Sequence, residues 1–161
     1  MSSEADDLYG LALDEFIPAR DALAKRLRAD GRRDEADDIA ALRKPTVAAW
    51  AANQAVRTQP KAARELWAAG DALRKAHAAI VGGKRRGAGD RLREATARQR
   101  AALRPLVEAA SCLLDHRGHS LTRQAIERAG DTLHAASLDP TLRDDAAAGR
   151  LTTEHRYAGL T

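Results

Sequence analysis

The stretch LRKPTVAAWAANQ, residues 42–54, holds a helix end, a helix start and one large aromatic side chain. Pro45 biases Lys44 out of the helical region, so a helix reaching Leu42 must stop at Lys44. Arg43 and Lys44 then fall in a last turn, where cations complement the negative end of the helix dipole. Proline is favoured at the first position of a new helix, and Val47, Trp50 and Ala51 follow at three- and four-residue spacing. That spacing turns Trp50 into the core, and the basic pair needs no ligand. Asn53, beside Trp50 on an apolar helix, is expected to be a buried hydrogen-bonding residue that fixes helix packing.

The alanine richness of this stretch extends along the whole chain. Alanine makes up about a quarter of the 161 residues, while only 3% are aromatic. It is the best helix former, and the isoleucines are scattered, so no period-two run exists from which to build a sheet. The expected fold class is all-α: a single-domain bundle of about seven helices spanning residues 1–161. Residues 1–13 and 152–161 are read as flexible tails.

Working outward, Asp14 is expected to cap a helix with Phe16, Ala19, Leu23 and Leu27 on one face, ended by Gly31. A second runs from Asp34 to Lys44, and the third follows Pro45. Pro60 opens a fourth, with Leu66, Trp67, Leu73, Ala76 and Ile80, interrupted only by Gly70 and ended by Gly82 and Gly83. A long fifth helix reads from Asp90 to Arg117. Its residues Leu92, Thr96, Gln99, Leu103, Leu106, Ala110 and Leu113 form a coiled-coil-like seam that Pro105 should kink or break. Ser120 is expected to cap a sixth helix through Leu133, and a short seventh follows Pro140. Short connections imply antiparallel neighbours.

The net charge of +4 conceals a strong asymmetry. Residues 1–40 hold six basic and eleven acidic side chains, residues 41–110 fifteen against five, and the remainder six against seven. The densest basic stretch, residues 84–104, carries eight cations: Lys84, Arg85, Arg86, Arg91, Arg93, Arg98, Arg100 and Arg104. With Leu92 facing the core, Arg93 and Arg100 lie on one flank of the seam and Arg91 and Arg98 on the other. Lys84 to Arg86 sit in a glycine loop at a helix start, where amide donors and the dipole attract anions. Such a surface suits a phosphate backbone with little demand for sequence. The competing reading is a solvated face, or one paired with the acidic first third. No aromatic side chain is interleaved to stack single-stranded bases.

Few groups here can do chemistry. The single cysteine, Cys112, rules out an internal disulfide and suits a reducing interior. Cys112 and His116 are four residues apart in CLLDHRGH, but Cys112 is expected to pack as a small hydrophobe, with His116 and Arg117 at a helix C-terminus. His77, His134 and His155 are read as surface or satisfied partial-core residues. No phosphate loop, nucleophile elbow, paired zinc motif or dinucleotide fingerprint is present. The acidic N-terminus lacks signal-peptide character and no apolar stretch would span a bilayer, so the expected setting is cytoplasmic without membrane contact.

LYGLALDEFIPARDALAKRLRADG, ALRKPTVAAWAANQ and DTLHAASLDP with AGRLT together resemble a family of small Ala/Arg-rich helical proteins from high-GC actinobacteria. The resemblance spans most of the chain and implies lineage and a cytoplasmic setting; it carries no activity across. The functional expectation is therefore a noncatalytic helical protein, without cofactor or metal, that associates with DNA or RNA nonspecifically, or with a nucleoprotein assembly. The alternative is a protein-interaction or scaffold module in which the long helix docks on another, as in a homodimer.

Overall fold

The computed structural model describes residues 1–83 and 86–159. Its elements are α1 (Ser3–Leu8), a 3-10 turn at Leu13–Glu15, α2 (Phe16–Ala29), α3 (Arg33–Ala40), α4 (Val47–Thr58), α5 (Pro60–Val81), α6 (Ala88–Ser111), α7 (Arg123–Leu138) and α8 (Pro140–Ala147). Among the described residues there is no strand, only an isolated antiparallel backbone pair between Leu114 and Ser120. The fold is all-α.

Helix α4 is the hub. Every residue from Ala48 to Val56 is buried, and α5, α6, α7 and α8 all pack on it. A helix covered on all sides must be thin on all sides. Its alanines provide that, so neighbours can approach closely, while Leu66, Leu106 and Leu133, each fully buried, supply bulk around it. Burial of each such leucine contributes about 2 kcal/mol. Between α5 and α7 the approach is closer still, because a Cβ at Gly70 would stand 2.0 Å from the Ser137 carbonyl oxygen.

A second core joins α1, α2 and α3 through Leu8, Tyr9, Phe16, Leu23, Leu27 and Ile39, with the Tyr9 and Phe16 rings edge-to-face at 5.3 Å. Side chains of α4 tie this layer to the hub. The Trp50 indole N–H donates to the Leu11 carbonyl at 2.9 Å, Gln54 Nε2 to the Tyr9 carbonyl at 2.7 Å, and Arg57 Nη2 to the Asp6 carbonyl at 2.9 Å.

Several boundaries depart from the sequence expectation. Helix α3 ends at Ala40, so Arg43 and Lys44 occupy an extended connection rather than a last turn. Pro45 precedes the cap instead of opening α4: Thr46 is the N-cap, its hydroxyl accepting from the Ala49 amide at 3.2 Å, since threonine can satisfy an orphan N–H and proline cannot. Thr122 likewise caps α7 in place of Ser120, and α2 starts without the Asp14 cap. Val47 is 44% exposed, off the face that buries Trp50. Residues 1–13 are not a bare tail, since α1 buries Ala5 and Leu8. Residues 152–159 lack a helix, yet the Thr152 carbonyl accepts from the Thr46 amide at 3.0 Å and the His155 amide donates to Thr132 Oγ1 at 3.0 Å.

Helix α6 continues through Pro105 and stops at Ser111. The carbonyl that Pro105 leaves unpaired belongs to Ala101, which is exposed, so water can serve it. The seam is real: Gln99, Leu106 and Ala110 are buried, against α4, α5 and α7 of the same chain.

Candidate functional site

Helices α5 and α6 form an antiparallel hairpin, and its outer face gathers the basic side chains. Arg91 and Arg98 on α6 meet Lys75 on α5 across an open groove of about 590 Å³, floored by Ala72, Ala76, Ala79 and Ala95, with Glu94 the one acid in its lining. The three- and four-residue spacing of the α5 alanines, met by Ala95 of α6, produces this floor, since side chains so spaced stack on one face. Arg93 and Arg100 take the opposite flank of α6. Arg100 stands close enough to His134 to help hold its pKa below the ordinary 6.5, a depression caused first by burial and opposed by Asp131. Arg104 is exposed further along α6, and Arg86 at the helix start. Lys84 and Arg85 lie outside the described residues.

Among the described residues, most of these cations make no ion pair. Arg93 pairs with Asp90, and Arg91 Nη2 donates to the Arg86 carbonyl at 2.8 Å. Among the described residues, the ion pairs involve none of Lys75, Arg91, Arg98, Arg100 or Arg104. The acidic first third does not cover them. Glu4 pairs with Arg26, Asp37 with Arg28, Glu35 with Arg32 and Asp6 with Arg57, all within α1 to α4 and their connections.

The chemistry-bearing stretch near Cys112 is dispersed. Because α6 ends at Ser111, Cys112 and His116 do not share a helical face, and Cys112 is exposed instead of packed in the core. His116 and Arg117 belong to a turn, not a helix end. Asp115 organises that turn by accepting from the His119 amide at 2.9 Å and the Arg117 amide at 2.8 Å, and these bonds, that from His119 foremost, hold its carboxyl below the usual range. Among the described residues, no three of His, Cys, Asp and Glu are grouped to hold a metal ion, and no helix is long and apolar enough to cross a membrane.

Two features escape a reading of the sequence alone. Lys75 joins the groove only through the antiparallel register of α5 and α6, a pairing that could be anticipated by folding the chain back about its glycine loop. The second is a largely apolar pocket on the other face of the same hairpin, where α5, α6 and α7 bring together the polar side chains of His77, Thr96 and His134. Their sequence separation gives no sign of it. No family model, curated protein or solved structure matches the chain.

Proposed function

We propose that this chain is a noncatalytic nucleic-acid-associating protein that holds a phosphate backbone in the α5–α6 groove. The observation that carries the reading is the convergence of Arg91, Arg98 and Lys75, free of ion pairs among the described residues, over a floor of alanines. Small floor residues let a backbone approach, and guanidinium groups meet phosphate oxygens with paired donors. Among the described residues no aromatic side chain lines the groove, which favours a duplex over stacked single-stranded bases. Arg100 and Arg104 extend the field along α6. A scaffold role for the long helix has less support, because its apolar seam is occupied by α4, α5 and α7.

The test is fluorescence anisotropy of labelled duplex DNA and RNA across a salt series. Three phosphate contacts predict a slope of about −2.7 in log K against log salt, roughly a 40-fold loss between 50 and 200 mM salt. A variant with Lys75→Glu, Arg91→Glu and Arg98→Glu should bind at least tenfold more weakly, with a flattened slope. A folded wild type that binds neither duplex at low salt refutes the reading.

A further inference from the structure

The pocket between α5, α6 and α7 measures about 270 Å³, and its wall is mainly apolar, with Leu73, Leu92 and Leu138 beside Arg74, His77, Thr96, His134 and Tyr157. The volume sits just under the roughly 300–1,000 Å³ of sites for drug-sized ligands.

Hydrogen bonding decides what the polar groups can offer. The Ser137 hydroxyl donates to the His134 carbonyl at 2.7 Å, so its oxygen is left to accept from Gln99 Nε2 at 3.0 Å. That orients the Gln99 amide, and its second N–H goes to His134 Nδ1 at 2.8 Å. A ring nitrogen that accepts carries no proton. Neutral His134 therefore bears its hydrogen on Nε2 and is a donor, and the depression of its pKa by burial keeps it neutral. Among the described residues His77 Nδ1 is buried with no hydrogen-bond partner, a state that native structures rarely leave unexplained. Arg74 is only loosely engaged. It stands 3.6 Å from Asp71, a carboxylate that Arg143 holds more closely at 3.1 Å. Among the described residues no carboxylate or thiol lines the pocket, so their side chains present cationic and N–H groups beside apolar ones, which suits an anion.

We infer that this pocket binds a small organic anion, whose carboxylate or phosphate meets Arg74, His77 and His134 while its apolar body rests on Leu73, Leu92 and Leu138. The site is independent of the α5–α6 groove, which lies on the opposite face of the hairpin.

Isothermal titration with benzoate, phenyl phosphate, neutral benzamide and inorganic phosphate tests it, with the side-chain nitrogen resonances of His77 and His134 followed by NMR. At least one aromatic anion should bind and shift both imidazoles. Benzamide and inorganic phosphate should bind at least about tenfold more weakly than that anion, and Arg74→Gln should weaken it by a similar factor. The variant R91Q/R98Q should bind as wild type does. Absence of binding by either aromatic anion up to about 10 mM, equal binding of benzamide, or a loss in R91Q/R98Q but not in R74Q would overturn the inference.

Discussion

Replacing Gly70 by alanine sets two opposing effects against each other at one position. The substitution removes the poorest helix former short of proline from the middle of α5, a gain of about 1 kcal/mol in the absence of contacts. The new methyl, however, would lie 2.0 Å from the Ser137 carbonyl oxygen, 2.7 Å from its carbon and 2.9 Å from the Ser137 Cβ. An ordinary C···O contact needs about 3.3 Å, so α5 must withdraw from α7 by more than 1 Å, and the obstacle is backbone that cannot swing aside. Overpacking of this kind typically costs about 1–3 kcal/mol, and a rigid backbone puts Gly70 at the upper end. Net destabilisation of about 2 kcal/mol follows, a fall in Tm of roughly 4–8 °C for a chain of this size. Urea unfolding followed by far-ultraviolet circular dichroism reads it as a lower midpoint at constant slope. Gly89, in the first turn of α6, has nothing within 4 Å of its Cβ position, so Gly89→Ala should raise the unfolding free energy by about 0.5 kcal/mol and the midpoint with it. A midpoint for G70A at or above wild type would refute the packing argument, whatever G89A does.

Asn53 donates from Nδ2 to the Leu151 carbonyl and accepts at Oδ1 from the Leu151 amide, both at 2.8 Å and both buried. Asn53→Ala leaves both backbone groups unpaired and should cost about 3 kcal/mol by urea unfolding, and a loss below about 1 kcal/mol would mean water replaces the amide. Trp50→Phe keeps most of the ring but removes the bond to the Leu11 carbonyl, which should lower stability by about 1–2 kcal/mol on the same assay; no change would show that this bond does not hold the α1–α3 layer to the hub. His134 titrates below 6.5 when folded, so the unfolded chain takes up its proton first and stability falls as pH drops from about 6.5 through the folded value, staying level above 6.5. His134→Phe should flatten unfolding free energy against pH in that window, and an unchanged slope would assign it to other groups. Asp115 and Asp139, both depressed carboxyls, act only at more acidic pH.

Local rules carried the reading of the sequence where one local feature decided the outcome. Pro60 opens α5 and Gly82 follows its end because proline lacks only an N–H that would be unpaired there, and the seam of α6 follows from period alone. Asn53 was legible for the same reason: a polar residue between alanines on a helix beside Trp50 has to be satisfied inside. Boundaries failed where two local preferences competed. Thr46 beats Pro45 for the start of α4, and Thr122 beats Ser120 for α7, because the residue whose hydroxyl reaches an orphan amide wins. α1 was missed since six residues provide too little periodicity, and what stabilises it lies far along the chain in Arg57. The basic flanks of α6 were readable from helical geometry, whereas Lys75, His77 and Tyr157 reach their places only through tertiary pairing.

Gly70 also bears on how the two candidate sites are connected. A bundle built on alanine draws its helices close, and close helices leave few large side chains to fill the joints between them. At the α5–α6 hairpin this has opposite results on the two faces. Outside, alanines make a smooth floor beneath Arg91, Arg98 and Lys75. Inside, where α7 is held against α5 at Gly70 through Ser137, the hydroxyl of that same serine orients Gln99 and through it His134. Separation of α5 from α7 in G70A should therefore loosen the Gln99–His134 bond and weaken the pocket while leaving the outer groove, which α5 and α6 make alone, with its affinity for duplex intact. Parallel loss of both in the folded variant would show that the two faces are not independent.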